Sequence, residues 1–247
     1  MGMRDARVVL IGGTSNTGKS TVAEAVADRL GFERRSTDGL ARHPGRPWRT
    51  PEHEVPHHVA EHYGTLTTDE LVASVLAHYE RLWPRIEELI TDHARDGAPG
   101  LVLEGSALWP ERVARLTAPR TAAVWLTADT TVVRDRVRAA GRYAEATERE
   151  RLLMDRFLAR TGRYQALMAD EVEARGLDRI DVGGRTVSEL ADAVLAAVEG
   201  QSRPGCGGGA GGGFFVADEE THDLGGPITR ADVRRIMTEG PRGGERA

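Results

Sequence analysis

The sequence predicts a three-layer α/β domain around a central parallel sheet, and three observations carry that expectation. Short apolar runs, Val8–Ile11, Leu101–Leu103 and Ala122–Leu126, are continuous rather than alternating, as strands buried on both faces require. Amphipathic helical runs separate them, and strands alternating with helices imply a parallel sheet with helices on its faces. A glycine-rich loop stands at the first strand-to-helix junction, where ligands of such sheets gather.

That loop reads Gly13-Thr14-Ser15-Asn16-Thr17-Gly18-Lys19-Ser20, the phosphate-binding P-loop pattern of Gly, four variable residues, Gly, Lys and Ser/Thr. Glycines let the chain curl so that successive N–H groups point inward. The following helix adds its free N-terminal donors and partial positive charge. Gly13, Thr14, Ser15, Asn16, Thr17, Gly18, Lys19, Ser20 and Thr21 are therefore the candidate nucleotide contacts. Lys19 is placed to reach the β and γ phosphates and Ser20 to hold magnesium, so ATP and Mg are the expected cofactors. Of 33 Lys plus Arg residues, Lys19 is the only lysine. A compact, flexible point charge stands where a planar fork would suit less well.

In chain order, Val22, Val26 and Leu30 with Ala23 and Ala27 give one buried stripe on a helix from Lys19 to Leu30, stopped by Gly31. Phe32–Ser36 reads as a second strand, a parallel neighbour of the first, with Asp38 at its exit. From Ala41 to Gly64, prolines, arginines and histidines alternate in what reads as a poor core segment. Thr68 is a plausible cap for a helix carrying Leu71, Val72, Val75, Leu76, Tyr79 and Leu82, which Pro84 is expected to kink or divide before it resumes to about Gly97. Leu101–Leu103 delivers Glu104 to a strand end. After the Ala122–Leu126 strand, Thr130–Arg163 is helical in propensity and dense in arginine. Leu177–Val182 supplies a last strand and Ser188–Val198 a closing helix.

Residues 1–200 thus form the domain. Residues 201–226 read as a Gly-rich flexible linker and 227–247 as a mostly disordered tail, with one possible short helix over Thr229–Met237. The formal net charge of -5 gives no global attraction to nucleic acid or an anionic membrane, and neither is an expected partner. A single cysteine, Cys206, rules out an intrachain disulfide framework, and no apolar run approaches the ~20 residues that span a bilayer. A cytoplasmic location is the expectation. A protein partner recruited through the tail stays open.

Asp38 is placed to accept the proton of an attacking hydroxyl across the gap from the γ-phosphate, or else to cap a turn or hold a magnesium-bound water. Glu104 can hold magnesium, bind a substrate hydroxyl or serve a structural pair. Arg138 and Arg142 border the Gly141 break, where a lid over the phosphates would turn. Interleaved Glu145, Glu148, Glu150 and Asp155 give most arginines there an ordinary ion-paired role. Arg42, Arg46 and Arg49 beside Trp48 suit an anionic substrate group, or a loop anchored by ion pairs. The histidines between His43 and His62 lack a metal-binding spacing.

Gly12 to Ser20 followed by Asp38 resembles the small-molecule P-loop kinases of the nucleoside-monophosphate-kinase-like fold, among them the chloramphenicol phosphotransferase and gluconate kinase families. The segments Ser36-Thr37-Asp38 and Glu104-Gly105, with Pro110 further on, resemble 2-phosphoglycerate-kinase-like proteins. The resemblance spans about Arg7 to Glu199. It implies a three-layer P-loop NTPase fold and an ATP- and Mg-dependent phosphotransferase with a small hydroxyl acceptor, in which Asp38 contacts or deprotonates that hydroxyl. Past Asp38 this chain runs Gly39-Leu40-Ala41-Arg42-His43-Pro44, where the phosphoglycerate type continues Ile-Arg-Glu, so the acceptor stays open. The competing functions are NTP hydrolysis driving a conformational change and a nucleotide-binding adaptor. Against the first, the chain has neither a motor's Asp-Glu pair ending an apolar strand nor a GTPase's Asn-Lys-x-Asp.

Overall fold

The computed structural model describes residues 6–40, 45–50 and 54–201. Arg42, the Gly-rich linker beyond Gln201 and the tail lie outside these residues, and Gln201 itself ends a helix rather than opening the linker. Five parallel strands, β1 (Val8–Gly13), β2 (Glu33–Ser36), β3 (Leu101–Glu104), β4 (Thr121–Thr127) and β5 (Asp178–Asp181), form one sheet in the order β2-β3-β1-β4-β5. Among the described residues seven α-helices accompany them, the last following β5: α1 (Lys19–Leu30), α2 (His57–Thr65), α3 (Thr68–Ala94), α4 (Pro110–Ala114), α5 (Thr130–Ala140), α6 (Glu148–Ala174) and α7 (Val187–Gln201).

The sheet has a core on each face, and β1 shows why. Its Val9 and Ile11 join Val22, Val26, Val194 and Val198 of α1 and α7 on one side. Val8 and Leu10 join Leu76, Ile86 and Ile90 of α3 and Leu167 of α6 on the other. Alternate side chains of a strand point to opposite faces, so a strand covered on both sides must be apolar throughout.

β1 and β2 are not neighbours, contrary to the sequence reading: β3 lies between them and pairs in parallel with both. The physical reason is composition. β3 is buried along its whole length, whereas β2 carries Glu33, Arg34 and Arg35 and tolerates only an edge.

Two helices also differ from expectation. Thr67, not Thr68, caps α3, through a reciprocal capping box with Glu70. The helix then runs through Pro84 undivided for 27 residues. Pro84 removes a single backbone bond, while Trp83, Ile86 and Ile90 bury the helix on either side of it. The arginine-dense stretch is two helices, α5 and α6, with Thr147 and Glu150 forming a second capping box where α6 starts. The proline- and histidine-rich segment also contributes to the core after all, through Trp48, Val59 and Tyr63. Among the described residues no helix is long and apolar enough to cross a membrane.

Candidate active site

The register aligns the strand ends that form the site. Ser36 pairs with Glu104 and Ile11 with Glu104, so β2, β3 and β1 finish in one row, with the glycine loop immediately beyond β1. Gly13 turns the chain there with φ 138, and a Cβ on it would lie 2.4 Å from the Leu126 carbonyl oxygen. Asn16 then takes φ 63 in the left-handed region, which Asn tolerates better than most residues. The Thr17 hydroxyl donates to the Thr14 carbonyl at 3.0 Å, closing the curl. α1 begins at Lys19 without a side-chain cap, so its first N–H groups face the loop.

The Lys19 ammonium donates to the Thr14 carbonyl at 2.6 Å and is buried. Desolvation pushes its pKa below the usual lysine value, opposed by the negative charges of Glu104 and Asp38. Ser20 donates its hydroxyl to the Glu104 carboxylate at 3.0 Å. The two residues expected to hold a metal thus adjoin each other at the loop's mouth, one partly exposed pair of hard oxygen donors of the kind magnesium takes. Glu104 is buried and Ser20 exposed.

Asp38 sits in a short 3-10 turn, Thr37–Gly39, rather than on the strand itself. The Ser36 hydroxyl accepts the Asp38 backbone N–H at 3.3 Å, which fixes the turn and leaves the Asp38 carboxylate exposed. Thr37 is buried against Gly105: a Cβ on Gly105 would come within 1.8 Å of the Thr37 hydroxyl oxygen. The missing side chain at Gly105 is what lets the β2 turn close onto the end of β3. Lys19, Ser20, Asp38, Arg46 and Glu104 consequently line one cleft of about 240 Å³, with Ser106 and Phe157 completing its wall.

The arginines sort differently from the sequence reading. Arg46 lines the cleft, and its guanidinium lies 5.8 Å from the centre of the Trp48 ring. Trp48, expected as a substrate contact, is instead buried in the core, edge-on to Phe157 at 4.9 Å. It borders a separate cavity of about 430 Å³, lined by Glu54, Arg142 and Glu150 among others, which contains none of the loop groups. Trp48 therefore serves as a platform beneath Arg46. Arg49 pairs with Glu150 at 3.0 Å, the loop-anchoring alternative.

Of the two expected lid arginines, Arg138 lies over the Tyr143 ring at 4.4 Å and 3.6 Å from Asp155, and Arg142 pairs with Glu145; neither lines the phosphate cleft. The arginine of α5 that touches the loop is Arg136, donating to the Asn16 carbonyl at 2.9 Å. Sequence reasoning passed over it because only the crossing of α5 past the loop distinguishes it from its neighbours. Phe157 carries no signal in the sequence, and Ser106 stands out only as part of the segment that follows Glu104.

A model of the AAA domain family matches residues 9–153, more than half of the chain. The chain belongs to the AAA domain family. The matched region contains the glycine loop, Asp38, Glu104 and Arg136, and stops short of Phe157 and Arg160. No curated protein matches the chain.

Solved structures similar to this AAA domain chain include a gluconokinase from Sinorhizobium meliloti 1021, 19% identical with a TM-score of 0.46, covering 81% of this chain and 95% of the other. A sugar kinase from Janibacter sp. is 22% identical with a TM-score of 0.44, covering 78% and 94%. A shikimate kinase from Acinetobacter baumannii, solved with shikimate, is 14% identical with a TM-score of 0.43, covering 80% and 95%.

Proposed function

We propose that the chain is an ATP- and magnesium-dependent phosphotransferase that moves the γ-phosphoryl group onto a hydroxyl of a small molecule. The observation that carries this reading is the cleft itself: an exposed carboxylate, Asp38, lines the same cleft as Lys19 and the glycine loop. Nucleotide binding alone needs the loop and the lysine. A carboxylate across the gap is what transfer to an alcohol adds.

In this account the loop amides and the start of α1 hold the phosphates, and Lys19 leaves the Thr14 carbonyl to meet the β and γ oxygens. Ser20 and Glu104 would hold the metal, and their paired oxygen donors suit it. Bound magnesium would neutralise charge on the phosphate oxygens. Asp38 takes the acceptor's hydroxyl proton as that oxygen bonds to the γ-phosphorus; the bond from phosphorus to the bridging oxygen breaks, and ADP carries the electron pair away. Arg46, held over Trp48, and Arg136, held at Asn16, supply fixed positive charge at the cleft edge.

The test is a screen of small hydroxylated metabolites with the full chain, ATP and magnesium, read as phosphorylated product by mass spectrometry. Transfer to a defined acceptor supports the reading. Hydrolysis to phosphate that no acceptor alters would instead favour a nucleotide hydrolase.

A further inference from the structure

A second pocket, of about 190 Å³, lies between α5 and α6. Thr130, Val133 and Arg134 border it from α5, and Leu158, Thr161, Gly162 and Gln165 from α6. Residues three, four and seven apart share one side of a helix, so each helix gives the pocket one continuous face. None of these residues lines the phosphate cleft. Phe157, which does, and Arg160, enclosed in a small pocket beside α2 and α3, stand on another face of α6.

The walls are mainly apolar. Val133 is part of the core that α1 and α7 share with β1, and Leu158 packs against it. Among the described residues the one ionisable member of the lining, Arg134, is exposed and lies 3.4 Å from Asp135. A charged ligand would lose its hydration there without gaining an unengaged counter-charge.

Two oxygens give the pocket its polarity. The Gln165 amide nitrogen donates to the Ala128 carbonyl at 2.8 Å, just beyond β4, which settles which end of the amide is which. Its Oε1 is left buried with no hydrogen-bond partner among the described residues, and so is Oγ1 of Thr161, a residue only 2% exposed. Burying such an oxygen unpaired is unfavourable. An amide oxygen can only accept, and a threonine hydroxyl can also accept, so the group both lack is a donor.

Gly162 is the third feature. Glycine inside a helix is less favourable than alanine, and this one stands within the 27 residues of α6. No atom of the fold demands it: a Cβ there would meet nothing within 4 Å. What the missing side chain leaves is open space at the pocket wall.

We propose that the pocket between α5 and α6 is a second ligand site, taking a small neutral molecule about one ring in size, with an apolar body and one O–H or N–H donor. The size follows from the volume, since an apolar cavity of about 150 Å³ holds benzene. The body lies against Val133, Leu158 and Gly162, and the donor meets Gln165 Oε1 or Thr161 Oγ1. Arg136, two residues past Arg134 and so on the other side of α5, reaches the glycine loop at Asn16. The site is therefore separate from the nucleotide's, and it stands whether or not the chain transfers phosphate.

The experiment titrates three probes, phenol, toluene and benzoate, into the full chain saturated with magnesium and a non-hydrolysable ATP analogue, and reads binding by ligand-observed NMR. Saturation keeps the rings out of the nucleotide cleft. Phenol and toluene should bind, and benzoate at least tenfold more weakly than phenol. Thr161→Val and Gln165→Leu each remove one of the two oxygens. In at least one of them the affinity of phenol relative to toluene should fall about fivefold, the worth of one hydrogen bond. Gly162→Leu fills the space and should abolish binding of both neutral probes while affinity for the ATP analogue stays unchanged. Because it replaces a helix-interior glycine, this variant should melt no lower than the parent. Should it fail to fold, the phenol-to-toluene ratio in the two oxygen variants decides. The proposal is overturned if phenol does not bind the parent, whether water or another part of the chain fills the gap. It is equally overturned if benzoate binds as well as phenol, if the ratio is unchanged in both oxygen variants, or if a folded Gly162→Leu protein still binds the probes.

Discussion

Gly105→Ala isolates the contact that holds Asp38 opposite the phosphate loop. The added Cβ would lie 1.8 Å from Oγ1, 2.7 Å from Cβ and 2.9 Å from Cγ2 of Thr37. Rotating the Thr37 side chain can move Oγ1 and Cγ2, but its Cβ is fixed to the backbone. The β2 turn must therefore shift away from β3, carrying Asp38 with it. Overpacking of this kind costs about 1–3 kcal/mol. For a domain of this size each kcal/mol lowers the melting temperature by roughly 2–4 °C, so a fall of about 2–12 °C is expected. A displacement near 1 Å at a reacting group can cost about a hundredfold in rate, so transfer should fall by more than stability alone implies. Thermal unfolding and phosphoryl transfer are measured on Gly105→Ala, Thr37→Ala and the double variant. The double variant should recover part of the lost stability, since Thr37→Ala removes two of the three clashing atoms. A Gly105→Ala protein as stable and as active as the parent would refute the argument, as would strictly additive losses.

Arg136→Ala should weaken ATP binding about fivefold, the worth of one hydrogen bond of about 1 kcal/mol, whereas Arg138→Ala, which stays away from the loop, should leave it unchanged; calorimetry distinguishes them. Glu104→Gln should raise the magnesium concentration needed for half-maximal activity by about tenfold or more, with fold stability retained because the amide can still accept from Ser20. Lys19→Met should abolish nucleotide binding without destabilising the free protein at neutral pH, because it removes a charge whose burial is unfavourable. The folded-state pKa of Lys19 is lowered, so between that value and 10.5 the unfolded chain binds the extra proton. Stability of the parent relative to Lys19→Met should therefore rise with pH through that window, as denaturant titrations at several pH values would show.

Much of this site is legible in the sequence because local patterns fix it. The glycine loop, the Lys19–Leu30 helix and the delivery of Glu104 by a short apolar strand depend on residues close together in the chain. The order of the strands does not. The crossover that sets β3 between β1 and β2 follows from which strand can be buried on both faces, a comparison across some seventy residues of chain. Trp48 shows the same limit: an aromatic ring in an arginine-rich loop reads as a binding residue, and only the approach of Phe157 from α6 makes it core. Arg136, Arg138 and Arg160 are alike in sequence and unlike in place, because helix packing decides which one meets the loop, which one an ordinary carboxylate, and which one an enclosed pocket.

The central claim is that Asp38 receives the acceptor's proton within the cleft that holds the triphosphate. Single-turnover transfer from γ-labelled ATP by Asp38→Asn tests it most directly. ATP affinity is expected to stay within about twofold of the parent while the transfer rate falls by about 10²–10⁴-fold, the usual share of a positioned base. Transfer at the parental rate would contradict it.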